Sequence, residues 1–93
     1  MIYNEYLETK LKNLQDSMVS LYKTMHNSLD SKEIQLMNLE LKGLSIQETA
    51  LRFRLFDKGI YVQPTDEFIQ IFALWYDLMI KDYLYLDFIY MVK

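Results

Sequence analysis

Apolar residues recur along the first third of the chain at alternating steps of four and three. The positions are Leu7, Leu11, Leu14, Met18, Leu21 and Met25. This spacing places them on one stripe of a helix that runs from about Ile2 to Asn27. The stripe faces either the other helices of an antiparallel bundle or a second chain in a coiled coil. We favour the bundle, because methionine at two stripe positions specifies coiled-coil register poorly.

A second apolar stretch follows a turn and predicts another helix. Asp30 or Ser31 is suited to cap its first turn, since short polar side chains accept hydrogen bonds from free backbone N–H groups there. The stretch continues to about Lys42. Gly43 is then expected to end the helix, because glycine adopts the left-handed conformation common after a helix.

Three further signals divide the rest of the chain. The segment Ser45 to Glu48 has the capping-box pattern, with serine at the cap and glutamate three residues later. It predicts a third helix that ends near Lys58, with Gly59 after it. Pro64 then breaks the chain, and Thr65 caps a fourth helix.

The fourth predicted helix, Phe68 to Val92, is unusually apolar. A narrow polar stripe accompanies it only as far as Lys81, so a break near Lys81–Asp82 remains an alternative. The segment is long enough to span a bilayer. However, each central charged residue would cost about 2.5 to 3.5 kcal/mol on insertion. We therefore expect no transmembrane span.

Composition supports a single helical domain over residues 1–93. Hydrophobic residues make up 52% of the chain, and two glycines and one proline are too few for the turns of a sheet. We predict an all-α, small four-helix bundle-like domain. It has a long N-terminal helix, a short middle helix pair and a strongly apolar C-terminal helix.

The same composition limits the chemistry that we expect. The chain has one histidine, no cysteine and no glycine-rich phosphate loop. We therefore expect no enzyme activity, no metal and no other cofactor. The lack of cysteine and of a basic-then-apolar N-terminal pattern is typical of a cytoplasmic protein.

Tyrosines concentrate near the end of the chain and indicate a binding surface, because tyrosine is enriched at protein interfaces. The expected partner-binding residues are Tyr76, Tyr83, Tyr85, Asp87 and Tyr90. The predicted function is a non-enzymatic protein–protein interaction module that binds a partner protein, or a second copy of itself. Small acidic proteins of this type often serve as inhibitors or adaptors, including those of phages and mobile elements.

The alternative function is a dimeric DNA-binding regulator. The helix, the turn at Gly43 and the following helix together resemble a helix-turn-helix. Arg52, Arg54 and Lys58 would then meet the phosphates of the DNA. The net charge of −3 adds little attraction for nucleic acid, so a packed helical corner with solvated arginines is the favoured interpretation.

Overall fold

The computed structural model describes residues 2–77, and within them the fold is all-α. Helix α1 covers Ile2–His26 and helix α2 covers Ser31–Asp57. Helix α3 occupies residues 66–77 of the described range. The all-α class and the start of the last predicted helix are thus confirmed. The remainder of that helix, including the proposed break at Lys81–Asp82, lies outside the described residues.

The turn between α1 and α2 is built as the sequence indicates. Asp30 is the capping residue, and its side chain accepts a hydrogen bond of 2.9 Å from the backbone N–H of Lys32. The hydroxyl of Ser28 binds the carboxylate of Glu33 at 3.2 Å. These contacts satisfy polar groups at the start of α2 and allow a tight reversal of the chain.

The predicted middle helix pair is wrong, because α2 runs without interruption from Ser31 to Asp57. Gly43 lies inside the helix, and Ser45 does not cap a new one. A glycine inside a helix costs only about 1 kcal/mol relative to alanine. The neighbouring Leu41, 1% exposed, packs into the core, and Leu44 packs against the same cluster. Burial of these leucines on both sides outweighs the local cost and holds the helix straight through the glycine.

The end of α2 does follow the sequence signal. The backbone N–H of Gly59 donates to the carbonyl of Phe56, and that of Ile60 donates to the carbonyl of Leu55, each at 2.9 Å. Gly59 has φ of +77°, which an L-residue rarely adopts. This pair of bonds is a Schellman motif. Thr65 then caps α3, as predicted, by accepting from the N–H of Phe68 at 3.2 Å.

Within residues 2–77 the core consists of two clusters along the antiparallel pair α1 and α2. One joins the C-terminal half of α1 to α2 and α3, and its buried residues are Met18, Tyr22, Met25, Leu41, Phe68 and Trp75. The other joins the N-terminal half of α1 to the end of α2 and the following link, through Leu7, Leu11, Leu51, Leu55 and Val62. The α1 stripe is therefore used inside the molecule. An intermolecular coiled coil through that stripe is therefore wrong, and residues 2–77 form three helices where four were predicted.

A polar pair separates the two clusters. Glu48 is 1% exposed, and its Oε1 accepts a hydrogen bond of 3.3 Å from the buried amide of Gln15. The same oxygen lies 3.3 Å from Nε of Arg52, whose side chain is nearly half exposed. Buried polar partners tolerate few other alignments. The pair therefore favours the register in which α1 and α2 pack.

Helix α3 is attached to both other helices by polar contacts. The indole N–H of Trp75 donates to Oδ1 of Asn38 on α2 at 2.8 Å. Lys23 on α1 forms a 2.8 Å ion pair with Glu67, and both side chains are exposed. The exposed ion pair contributes little free energy. The hydrogen bond of the buried tryptophan and the core packing of Phe68 and Trp75 together hold α3 in place.

Candidate protein-binding surface

Helix α2 carries a second apolar stripe on the side that faces away from the core. We call this stripe the outer face of α2, and it consists of Leu36, Leu39, Gly43, Ile46, Ala50 and Phe53. Its four large side chains are between 61% and 71% exposed. At about 100° per residue, the stripe lies opposite the buried Leu41, Leu51 and Leu55. Both sides of α2 are therefore apolar.

The outer face is continuous and regular. Its residues follow one another at alternating steps of three and four, the spacing of a coiled-coil seam. From Leu36 to Phe53 it extends about 25 Å along the helix. A helix at the surface of a bundle normally presents polar residues on this side. An apolar stripe of this length instead has the properties of a contact surface.

An apolar cleft adjoins the C-terminal end of the outer face. It lies between α1, the last turns of α2 and the link that follows, and encloses about 150 Å³. Its floor includes the buried Leu11, Leu55 and Val62. Its rim carries three aromatic rings that are between 61% and 68% exposed, those of Phe53, Phe56 and Tyr61. The cleft is large enough for an apolar side chain of a bound protein.

Of the five partner-binding residues predicted from the sequence, the structure describes Tyr76 alone. Its side chain is 50% exposed, and its ring stacks on Phe72 with centroids 6.1 Å apart. The ring of Phe72 also contacts Trp75 and Phe68. Stacking on Phe72 thus holds the half-exposed ring of Tyr76 at the surface. The other four, Tyr83, Tyr85, Asp87 and Tyr90, lie outside the described residues.

The three basic residues of the DNA-binding alternative make contacts within the chain. Nη2 of Arg54 donates a 2.7 Å hydrogen bond to the hydroxyl of Tyr3. Arg54 and Lys58 both lie over the Tyr3 ring, at 5.8 and 4.5 Å from its centroid. Arg52 pairs with the buried Glu48. The helix-turn-helix itself is not formed, since α2 has no turn at Gly43.

Among residues 2–77, no three histidine, aspartate or glutamate side chains converge as a metal site would require. Within the same residues, no helix combines the length and the apolar character needed to cross a bilayer. Comparison with protein-family models, with curated proteins and with solved structures finds no match.

The spacing of apolar residues in the sequence contains the outer face, but the predicted helix break at Gly43 concealed it. The apolar character of Leu36 and Leu39 is plain, but a break at Gly43 separates them from Ile46 and Phe53. Once the helix continues through the glycine, all four fall on one stripe. The cleft carries no such signal, because it depends on how Leu11 of α1 meets the link after α2.

Proposed function

We propose that this protein is a non-enzymatic protein-binding module that uses exposed apolar and aromatic helical surface. The observation that carries the proposal is the outer face of α2, which is apolar although it points away from the core. Contiguous apolar surface on a folded domain commonly marks an interaction site, because covering it releases free energy of about 25 cal/mol per Å². Phenylalanine and tyrosine at the rim of the cleft agree with the enrichment of aromatic residues at interfaces.

The mode of binding follows from the geometry. A helix that is already held by two core clusters presents its exposed side chains on a backbone that needs no further ordering. A partner helix or extended segment would lie along the outer face and place an apolar side chain into the cleft beside Phe56 and Tyr61. We also propose a second contact region, made of the partner-binding residues predicted from the sequence: Tyr76, Tyr83, Tyr85, Asp87 and Tyr90. Such a module would act as an inhibitor or an adaptor.

Capture from the native cells tests the proposal. A tagged chain is cross-linked mildly in the cells, recovered, and its attached proteins identified by mass spectrometry, with second copies of the chain counted among them. The test variant is Phe53→Ser with Phe56→Ser, which removes two exposed rings. The matched control is Glu40→Ser with Lys42→Ser, which changes two exposed polar side chains of the same helix. Circular dichroism verifies that both variants fold.

We expect the attached proteins to be lost from the phenylalanine variant and retained by the control. The reason is that Phe53 belongs to both the outer face and the rim of the cleft, and Phe56 to that rim, whereas exposed charges on this helix contribute little. Equal recovery by both variants, or no protein attached to the unchanged chain, would refute the proposed function.

A further inference from the structure

We infer that the outer face of α2 binds the same face of a second copy of the chain, with the two α2 helices antiparallel. The two-fold axis crosses the helices at the level of Leu44 and Ser45. The inference rests on the proposed function and names its partner. A two-fold contact requires a surface that is complementary to itself. The outer face satisfies this requirement in the sizes of its residues and in the charges at its ends.

The sizes of the residues match when two copies run antiparallel. Leu39 of one copy then meets Ala50 of the other, and Gly43 meets Ile46. In each pair a branched aliphatic side chain faces a small residue, so that the side chains interdigitate as in a seam of knobs and holes. The outer pair, Leu36 with Phe53, closes each end.

Nothing within a single chain requires a glycine at position 43. It lies inside α2, where glycine costs about 1 kcal/mol relative to alanine. Its φ is not positive, and apart from its chain neighbours and the backbone of its own helix no described atom lies within 4 Å of the place where a Cβ would stand. A glycine that neither the backbone nor the packing of its own chain requires fits a place where another helix comes close, here with Ile46 of the second copy.

Charges at both ends of the outer face agree with the antiparallel arrangement. Continuing the steps of three and four brings in Lys32 before Leu36 and Asp57 after Phe53. Antiparallel pairing places each Lys32 opposite Asp57 of the other copy. These pairs mainly set orientation rather than affinity.

A parallel pairing of the same faces is disfavoured by the same residues. It would place Lys32 against Lys32 and Asp57 against Asp57, so that like charges meet at both ends. It would also set Gly43 against Gly43 and Ala50 against Ala50, which leaves the helices without packing there. The pattern therefore specifies a direction as well as a contact.

Sedimentation over a range of concentrations tests the contact with the full chain. We expect a reversible monomer–dimer equilibrium. Ile46→Glu should weaken dimerisation by about a hundredfold or more, because it places a carboxylate in the apolar seam. Lys32→Glu should weaken it by about three- to tenfold through like charge at both ends. Lys32→Glu with Asp57→Lys should return the dissociation constant to within about twofold of the original.

Disulfide cross-linking tests the direction, since the chain contains no cysteine of its own. Leu39→Cys and Ala50→Cys are prepared as separate proteins, mixed and oxidised mildly. We expect the mixed disulfide to dominate. Each protein oxidised alone should cross-link far less, because its two cysteines would lie about 16 Å apart along the helices, beyond disulfide reach.

The inference fails if the chain is monomeric at all concentrations, or if Ile46→Glu leaves dimerisation unchanged. It also fails if each cysteine variant cross-links to itself as readily as to the other. A strictly monomeric chain would mean that the outer face does not bind a second copy. The proposed function would survive such a result if the phenylalanine variant still lost proteins captured from cells, and the two failures are thereby distinguished.

Discussion

Leu41 is the residue whose truncation tests the core most directly. It is 1% exposed and packs in the cluster that contains Met18, Tyr22, Phe68 and Trp75, so it connects all three helices. Leu41→Ala removes three carbon atoms from this site. The lost transfer free energy is about 2.4 kcal/mol at about 0.8 kcal/mol per methylene-sized group.

The cavity left behind adds to this loss. Large aromatic neighbours collapse poorly into a small void, so that roughly 50 Å³ should remain and cost about 1.2 kcal/mol. We therefore expect Leu41→Ala to lower the free energy of unfolding by about 3.5 kcal/mol. For a domain of this size, the midpoint temperature would fall by about 15 °C or more.

Urea denaturation followed by far-ultraviolet circular dichroism measures the effect at one fixed protein concentration. Leu29→Ala is the matched control, because Leu29 is fully exposed in the turn between α1 and α2. Its free energy of unfolding should change by less than about 0.5 kcal/mol. A loss below about 1 kcal/mol for Leu41→Ala, with an unchanged denaturant slope, would refute the placement of Leu41 at the junction of the helices.

The remaining stability predictions concern two glycines and one hydrogen bond. At a concentration low enough for the chain to be monomeric, Gly43→Ala should raise the free energy of unfolding by about 0.5 to 1 kcal/mol, since a Cβ there meets open space within the described chain. Gly59→Ala should instead lower the free energy of unfolding by about 1 to 2 kcal/mol, because its positive φ is unfavourable for alanine. Equal changes in the free energy of unfolding of the two variants, measured by urea denaturation, would contradict both assignments. Asn38→Ala removes the acceptor of the Trp75 indole N–H and should cost about 1 kcal/mol. Fluorescence of Trp75, the only tryptophan, should move to longer wavelength as water enters, and unchanged emission would count against the hydrogen bond.

The local signals in the sequence were sufficient wherever neighbouring residues decide the outcome. The stripe of α1, the Asp30 cap, the stop at Gly59 and the Thr65 cap each depend on residues within about one turn of one another. Such contacts form in the same way whatever the rest of the chain does. The all-α class follows from them, together with the scarcity of glycine and proline.

Tertiary structure decided the points at which two local signals competed. Gly43 and the Ser45–Glu48 pattern favour a break, yet α2 continues because Leu41 and Leu44 on either side pack into the core. Glu48, which the pattern assigns to capping, is instead buried against Gln15, a residue 33 positions away. Sequence spacing alone does not show such a partner.

The candidate surface depends on the same decision. The sequence by itself determined which residues are apolar and how they are spaced along the chain. Only the continuous helix determined that Leu36, Leu39, Ile46 and Phe53 share one face, and only the packing of α1 on the opposite side left that face exposed. The physical reason is that α1 packs against only one side of α2. Because α2 is apolar on two sides, α1 leaves its second apolar side uncovered.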